Sequence, residues 1–463
     1  MWKFFKLFFV VLVLLGYSSS QTIVLDFSTN INLANVNDNN YMTTTLDQKL
    51  VVDLDIGSSH QKIPLTIKTD QSPTFLVSYH VNDNDIKIKY DETKSSESFN
   101  YMQNTPITQL FEYDFNSGYL VNDSINFNSS LIYKNFTYML ATELFIQIKN
   151  ISGEIGLSKK RKDKNPYYFP ERSRFLDQLK ENKLINNKIF GIVYDTEYEG
   201  RLILGGYLHQ VDDLYNENEM ITNLIYDNNK GDNNGKWTID FDVKGVAGAD
   251  NTSVYLEENT YGVIMYELGL IVGSRPFREN FVINYFKNKN CVESLVSSKP
   301  FSFYQYTCDN ENQFEDFPNL YFSSPGKYSF NFTKQELFKK LDGKYVFQVV
   351  FEVIDLETKY WRLGQTFFRK YNVFFDVKES DSYFSYYPVK KSPTDKKIRI
   401  TWQAVLIIIM SIVLAALIGV VIYFLVNWEK KKRNKKANEL SDDEFDYTPK
   451  QNEETKENLI INN

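Results

Sequence analysis

Apolar and aromatic residues recur in short runs along most of this chain, and within each run they alternate with polar ones. VVDLDIG, KIPLTIK, YLVNDSINF, IFGIVYD, RLILGG, WTIDFDV, YVFQVVFEVI and YNVFFDV all read this way. Alternation of this kind, bounded by Asn, Asp, Gly or Ser, predicts strands that bury one face. One stretch has a helical period: RSRFLDQLKENKLI, from Arg172, sets Phe175, Leu179 and, less regularly, Leu184 and Ile185 on a common side. The pattern predicts an all-β chain with few short helices. Its expected core includes Leu65, Ile67, Phe75 and Val77 in the first half, and Leu363, Phe367, Val373 and Phe375 in the second.

Two apolar runs are of another kind. MWKFFKLFFVVLVLLGYSSSQ has a charged start (Lys3, Lys6), an apolar run and a small-residue pair at Ser18 and Ser20. Residues 1–20 therefore read as a secretory signal peptide. AVLIIIMSIVLAALIGVVIYFLV, Ala404–Val426, carries no charge. It exceeds the roughly 20 residues a helix needs to cross a bilayer. Trp402 and Trp428 flank it, so 402–428 is expected to be a transmembrane helix, with Lys430–Lys432, Arg433, Lys435 and Lys436 after it. Together the two runs predict a single-pass type I protein of the secretory pathway, at the cell surface or an endolysosomal membrane. Its amino terminus is extracellular or lumenal, 388–401 is a juxtamembrane stalk, and 429–463 is a disordered cytosolic tail. A lipid bilayer is the first partner this implies.

Composition narrows the rest. The net charge of −7, with no basic patch interleaved with aromatics, predicts no nucleic-acid partner. There are two cysteines, Cys291 and Cys308, in the segment expected outside, where an oxidising compartment favours a disulfide. Two cysteines and the scattered His60, His80 and His209 predict no metal site, and no cofactor is implied. Sequons at Asn122, Asn128, Asn135, Asn150, Asn251 and Asn331 are candidate glycosylation sites.

Taken in order, several segments resemble the pepsin-like aspartic peptidases. IGSSHQ at Ile56–Gln61 resembles that family's IGTPPQ, and YDFNSGYLVNDSINF at Tyr113–Phe127 its flap hairpin. SGEIGL at Ser152–Leu157 is similar to DGILGL, and GRLILGGY at Gly200–Tyr207 to G-x-L-x-x-G-G. FLDQLKENKLI matches the family's F-x-x-x-L helix. WRLGQTFFRKYNVFFD at Trp361–Asp376 resembles its closing W-I-L-G-D-x-F-L-R run. The resemblance implies a bilobal fold, with lobes over 46–225 and 237–387, an inter-lobe cleft and a flap. Tyr113 would be the flap tyrosine. The cysteines sit where the family's second lobe usually has a disulfide.

The family's chemistry needs two aspartates about 3 Å apart that share a proton and hold a water. Each belongs to a D-[TS]-G motif. In the first lobe, counting back from Val77 puts Thr69 at the acid's place, and counting forward from Gln61 puts Lys68 there. In the second, aligning LIVG puts Met265 there, with Tyr266 and Glu267 in place of T-G. Asp70 and Glu267 are the fallback acids, and Gln365 stands where L-G-D has its Asp. The resemblance with these departures implies a catalytically inactive relative that binds an extended peptide or protein ligand in the cleft. Two alternatives are an active endopeptidase with an atypical dyad of Asp70 and Glu267, and a structural or adhesive surface glycoprotein.

Overall fold

The computed structural model of the chain describes residues 22–30, 40–69, 74–95, 97–102, 106–111, 114–128, 131–144, 152–159, 174–225, 235–247, 252–298, 301–324, 326–353, 360–378, 381–388, 417 and 419–434. The signal segment, Asp70, Tyr113, Asn150, Asn251, most of the Asn-rich stretch Tyr226–Lys236, the stalk after residue 388 and nearly all of the tail lie outside them. The chain divides into two compact units, Met1–Val389 and Lys390–Asn463.

Within the first unit the alternating runs fold as strands. VVDLDIG and KIPLTIK become Leu50–Ile56 and Gln61–Lys68, and YNVFFDV becomes Tyr371–Val377. Two sheets result among the described residues, one of fourteen strands and one of eleven. Strands from Ile23–Thr29 to Ile221–Ile225 form the first sheet, together with the last two, Tyr371–Val377 and Ser382–Pro388. Strands from Thr238–Ala247 to Trp361–Leu363 form the second. The closing strands thus return to the first sheet, where Tyr371–Val377 pairs antiparallel with Ile189–Tyr194. All eight expected core residues are buried, in one apolar cluster that spans both sheets or in satellites of it.

Three features lie beyond the sequence pattern. Ile23–Thr29 is a strand, wedged between Glu199–Leu204 and Leu50–Ile56. YVFQVVFEVI is broken at Gln348 into Lys344–Phe347 and Val349–Glu352, because the first piece pairs with Phe338–Leu341 and the second with Ile271–Val272. RPFRENFVINYFKN is helical in successive short pieces from Arg275 to Asn288. Ser274 caps it by accepting the Phe277 N–H, and Phe277, Val282 and Phe286 are its buried side. The helix expected from Arg172 is shorter, Phe175–Glu181.

The IGSSHQ turn joins strands Leu50–Ile56 and Gln61–Lys68. Ile56 pairs with Gln61, and Gly57 between them has φ +80°. A Cβ at Gly57 would stand 2.5 Å from Ser95 Oγ, so only glycine fits this turn. Further on, Asp114–Asn128 and Leu131–Leu144 form a long hairpin, and Ile107–Phe111 folds back on its start with Phe111 opposite Asp114. Asp123 in that hairpin is fully buried. Its carboxylate accepts hydrogen bonds from Tyr90 and Ser98, from Ser95 Oγ at 2.9 Å and from the Ser124 N–H at 2.7 Å. The cysteines form the disulfide Cys291–Cys308, which ties the end of helix Ile283–Asn288 to strand Phe301–Cys308.

In the second unit the described residues include a helix over 419–434. No helix among the described residues is long and apolar enough to cross a membrane. The helix runs six residues past 428, through the start of the expected disordered tail. Glu429 and the lysines after it are good helix formers, which continue a helix already nucleated.

Replacing Asp123 with Ala leaves four donors around a buried gap. Urea unfolding of the protein should show a loss of about 3 kcal/mol, and a change under 1 kcal/mol would mean that the hub is not structural.

Candidate functional site

The site is built where a strand of each half ends against a parallel neighbour. In the first half Gln61–Lys68 runs beside Gly153–Gly156, pairing Ile67 with Ile155 and Lys68 with Gly156. The Leu157 N–H then bonds to Lys68 O at 2.8 Å. In the second half Thr252–Ile264 runs beside Trp361–Leu363, pairing Ile264 with Leu363, and the Met265 N–H bonds to Leu363 O at 3.0 Å. Each partner strand leads into a glycine, Ile155-Gly156 in one half and Leu363-Gly364 in the other. Ile67 and Ile264 therefore hold corresponding places in the two halves, and Lys68 and Met265 are the residues that follow them. Of the two residues expected in place of the first acid, Lys68 is the last paired residue of its strand and Thr69 follows it.

Thr69 has a different place. It is fully buried, and its Oγ1 donates to the carbonyl of Ile264 at 3.1 Å, across from one half to the other. The equivalent residue in the second half, Tyr266, makes no such bond. Its ring packs on Phe368 at 4.1 Å between centroids, and its hydroxyl is buried without a hydrogen-bond partner among the described residues. Burial, then the nearby Tyr194, pushes that phenol well above the ordinary tyrosine range.

Two further bonds fix the floor. Gln365 is fully buried, and its Nε2 donates to Gln48 O at 2.9 Å and to Tyr266 O at 2.8 Å. Arg369 Nη2 donates to Gln48 Oε1 at 2.8 Å. The amide that replaces the family's acid at this position thus ties the segment before Leu50 to the second half. That segment also packs apolar side chains, Tyr41, Met42 and Leu46, into a cluster with Met265, Leu268 and Leu270. Gly269 is required there, since a Cβ on it would lie 1.7 Å from Thr45 O.

The floor is charged, but not as a pair of acids. Lys68 Nζ lies 3.8 Å from Glu154 Oε1, with side chains 14% and 5% exposed. Glu267 is 4% exposed. Burial, then the like charge of Lys68, lowers the pKa of Lys49, while Glu267, Glu154 and Asp47 pull it back up. Lys68, Glu154 and Glu267 thus all act on the charge of Lys49. Met265 has no proton to share, and an ammonium donates hydrogen bonds without accepting any.

Glu154 and Lys49 were not singled out from the sequence. A signal was there: Glu154 puts a carboxylate inside SGEIGL, a strand otherwise built for burial, and Lys68 does the same with an ammonium in KIPLTIK. Opposite charges on neighbouring buried strands are a pairing signal once the strands are known to be adjacent. Asp70 and Tyr113 lie outside the described residues.

Two β-sheets, with paired strand ends meeting between them and a long hairpin in the first, define a β-rich peptidase-like architecture. A profile of the eukaryotic aspartyl protease family matches residues 45–386, more than half of the chain. The chain belongs to that family of pepsin-like aspartic peptidases. No curated protein matches it.

The lowered Lys49 pKa gives a pH signature. In the window between that lowered value and its ordinary 10.5, the unfolded chain binds more protons than the folded one, so stability rises with pH there. Chemical denaturation of the protein from pH 7 upward should show this rise, and Lys49→Met should flatten it. An unchanged slope in Lys49→Met would assign the rise to another group.

Proposed function

We propose that this chain is a membrane-anchored pseudopeptidase: an aspartic-peptidase ectodomain whose cleft holds an extended peptide or a partner protein without cutting it. The observation that carries this reading is that Lys68 and Met265, neither of them an acid, follow Ile67 and Ile264 at corresponding strand ends of the two halves. Cleavage in this family needs one carboxylate to take a proton from water while the other gives one to the peptide carbonyl. An ammonium and a thioether do neither. The scaffold that would grip a peptide is nonetheless kept, in the strand ends, the Thr69 bond and the long hairpin. Extended ligands bind such clefts through backbone bonds and side-chain pockets, which require no catalysis. Glu267 is buried near the floor, yet it sits two residues beyond Met265 and within reach of the Lys49 field, away from the second acid's position.

The anchor reading draws on the carboxyl-terminal segment. Val420–Val426 and Trp428 are about half exposed or more, so nothing in the described chain covers them. Lys430–Lys432 and Arg433 follow directly on the same helix. An apolar helix of this kind, continuing the uncharged run from Ala404, suits a bilayer, with the basic end on the cytosolic side. The amino-terminal signal segment, the disulfide and the sequons fit a lumenal or extracellular ectodomain. Asn135 is exposed, whereas Asn122 and Asn331 are half-buried, with their Oδ1 atoms held by Thr137 and Tyr371 hydroxyls.

Incubation of the purified ectodomain with unfolded casein between pH 2 and pH 7 should yield no fragments. A peptide carrying a hydroxyethylene isostere should bind it and remain intact. Fragments that disappear in Asp70→Asn or Glu267→Gln would establish an active enzyme with a displaced dyad. For the anchor, the full chain should stay in the membrane pellet after alkaline carbonate extraction, and release into the supernatant would remove that part of the reading.

A further inference from the structure

The long hairpin has a break in its ladder. Asp123 pairs with Phe136 and Ile125 with Tyr133, so that Ser124 alone faces two residues, Lys134 and Asn135. A bulge of this kind gives one strand an extra residue and re-aims its side chains. Here Lys134 and Asn135 are both exposed, between Tyr133 and Phe136, which are buried. Asn135 has φ +66°, a left-handed backbone that Asn adopts more readily than most residues. Its flanks are held firmly. The Phe136 ring packs on Tyr133 at 5.8 Å and on Phe175 at 5.5 Å. Gln178 accepts the Thr137 N–H at 2.7 Å and donates to the Thr137 carbonyl at 2.8 Å. Asn135, Phe136 and Thr137 together are a sequon.

We infer that Asn135 carries an N-linked oligosaccharide, and that the bulge is what lets the folded chain carry it there. The inference rests on the reading of this part of the chain as lumenal or extracellular, and it names the residue that is modified. In the transfer, Asn135 Nδ2 bonds to the anomeric carbon of the first sugar. The bond from that carbon to the pyrophosphate of a lipid-linked donor breaks, and Nδ2 gives up one proton. An oligosaccharide is bulky and strongly hydrated, so the fold has to present its attachment point to solvent. Three sequons have described side chains, and they differ in this respect. Asn122 is half-buried in regular ladder between Asn100 and Thr137, and its Oδ1 accepts from Thr137 Oγ1 at 2.6 Å. Asn331 is half-buried too, and its Oδ1 accepts from the Tyr371 hydroxyl at 2.8 Å. Of the three, Asn135 is the exposed one, and it is the one that stands in a bulge. The hydroxyl that completes its sequon, on Thr137, is the group that holds Asn122 in place, so one residue serves the exposed sequon and restrains the other.

For the test, the full chain is expressed in a eukaryotic secretory host and purified in detergent. It is denatured, treated with peptide N-glycosidase F in heavy-oxygen water and then digested with trypsin, so that each modified Asn is read as a heavy Asp. Cleavage after Lys134 and Lys149 puts Asn135 in a peptide with no other sequon, while fragment ions separate Asn122 from Asn128 in the preceding peptide. Occupancy at Asn135 should exceed that at Asn122 about tenfold. Asn135→Asp keeps a residue type that accepts the left-handed backbone and removes the acceptor amide. On a denaturing gel that variant should run faster than the native chain by one glycan, with an unchanged circular dichroism spectrum. Equal occupancy at Asn122 and Asn135 would overturn the inference, and so would native mobility of Asn135→Asp. Heavy Asp at Asn128, Asn150 or Asn251 with none at Asn135 would overturn it and leave the secretory reading standing. Heavy Asp at no sequon would overturn both.

Discussion

Two strand ends of the first unit are joined by a hydrogen bond from Thr69 Oγ1 to the carbonyl of Ile264. That bond is possible because each strand ends in the same register against a parallel neighbour that leads into a glycine. Everything the site does follows from where this register leaves the next side chains. Lys68 and Met265 follow at corresponding strand ends, Thr69 is turned to the other half, and Tyr266, too large to return the bond, is packed away against Phe368.

The arrangement separates scaffold from chemistry. Burial of apolar strand faces, the Gln365 amide between Gln48 and Tyr266, and the Asp123 hub all act on backbone position and are indifferent to whether a water is activated. A fold held by so many independent contacts does not depend for its packing on which side chains stand at the two strand ends. A largely buried ammonium such as that of Lys68 needs a counter-charge. Glu154, on the strand that pairs beside Lys68, supplies it, and Lys49 and Glu267 complete a group of balanced sign.

Legibility of the fold from the chain varied with the range of the interaction. Tyr371–Val377 coincides with YNVFFDV because alternation is a property of adjacent residues. YVFQVVFEVI read as one run, yet Gln348 divides it, because its halves pair with strands that lie apart in the chain. Ile23–Thr29 went unnoticed as a strand although it alternates, since its place is fixed by Glu199–Leu204 far along the chain. The helical pieces from Arg275 to Asn288 carried a signal that was missed: a serine cap, a proline at the first turn and apolar residues at Phe277, Phe281, Val282, Tyr285 and Phe286.

At the site, the sequence alone determined which residue types are missing. No D-[TS]-G occurs in either expected segment, and Met265 is placed by an unbroken count from the apolar run that follows it. It did not decide between Lys68 and Thr69, because the count from Val77 crosses the stretch between strands Gln61–Lys68 and Phe75–Val77 and differs by one residue from the count from Gln61. A shift of one reverses the face that a side chain takes on a strand. Only pairing with Gly153–Gly156 set the register, and with it the meeting of Lys68 and Glu154. Strand pairing is a contact between distant parts of the chain, and local pattern holds no record of which strand lies alongside.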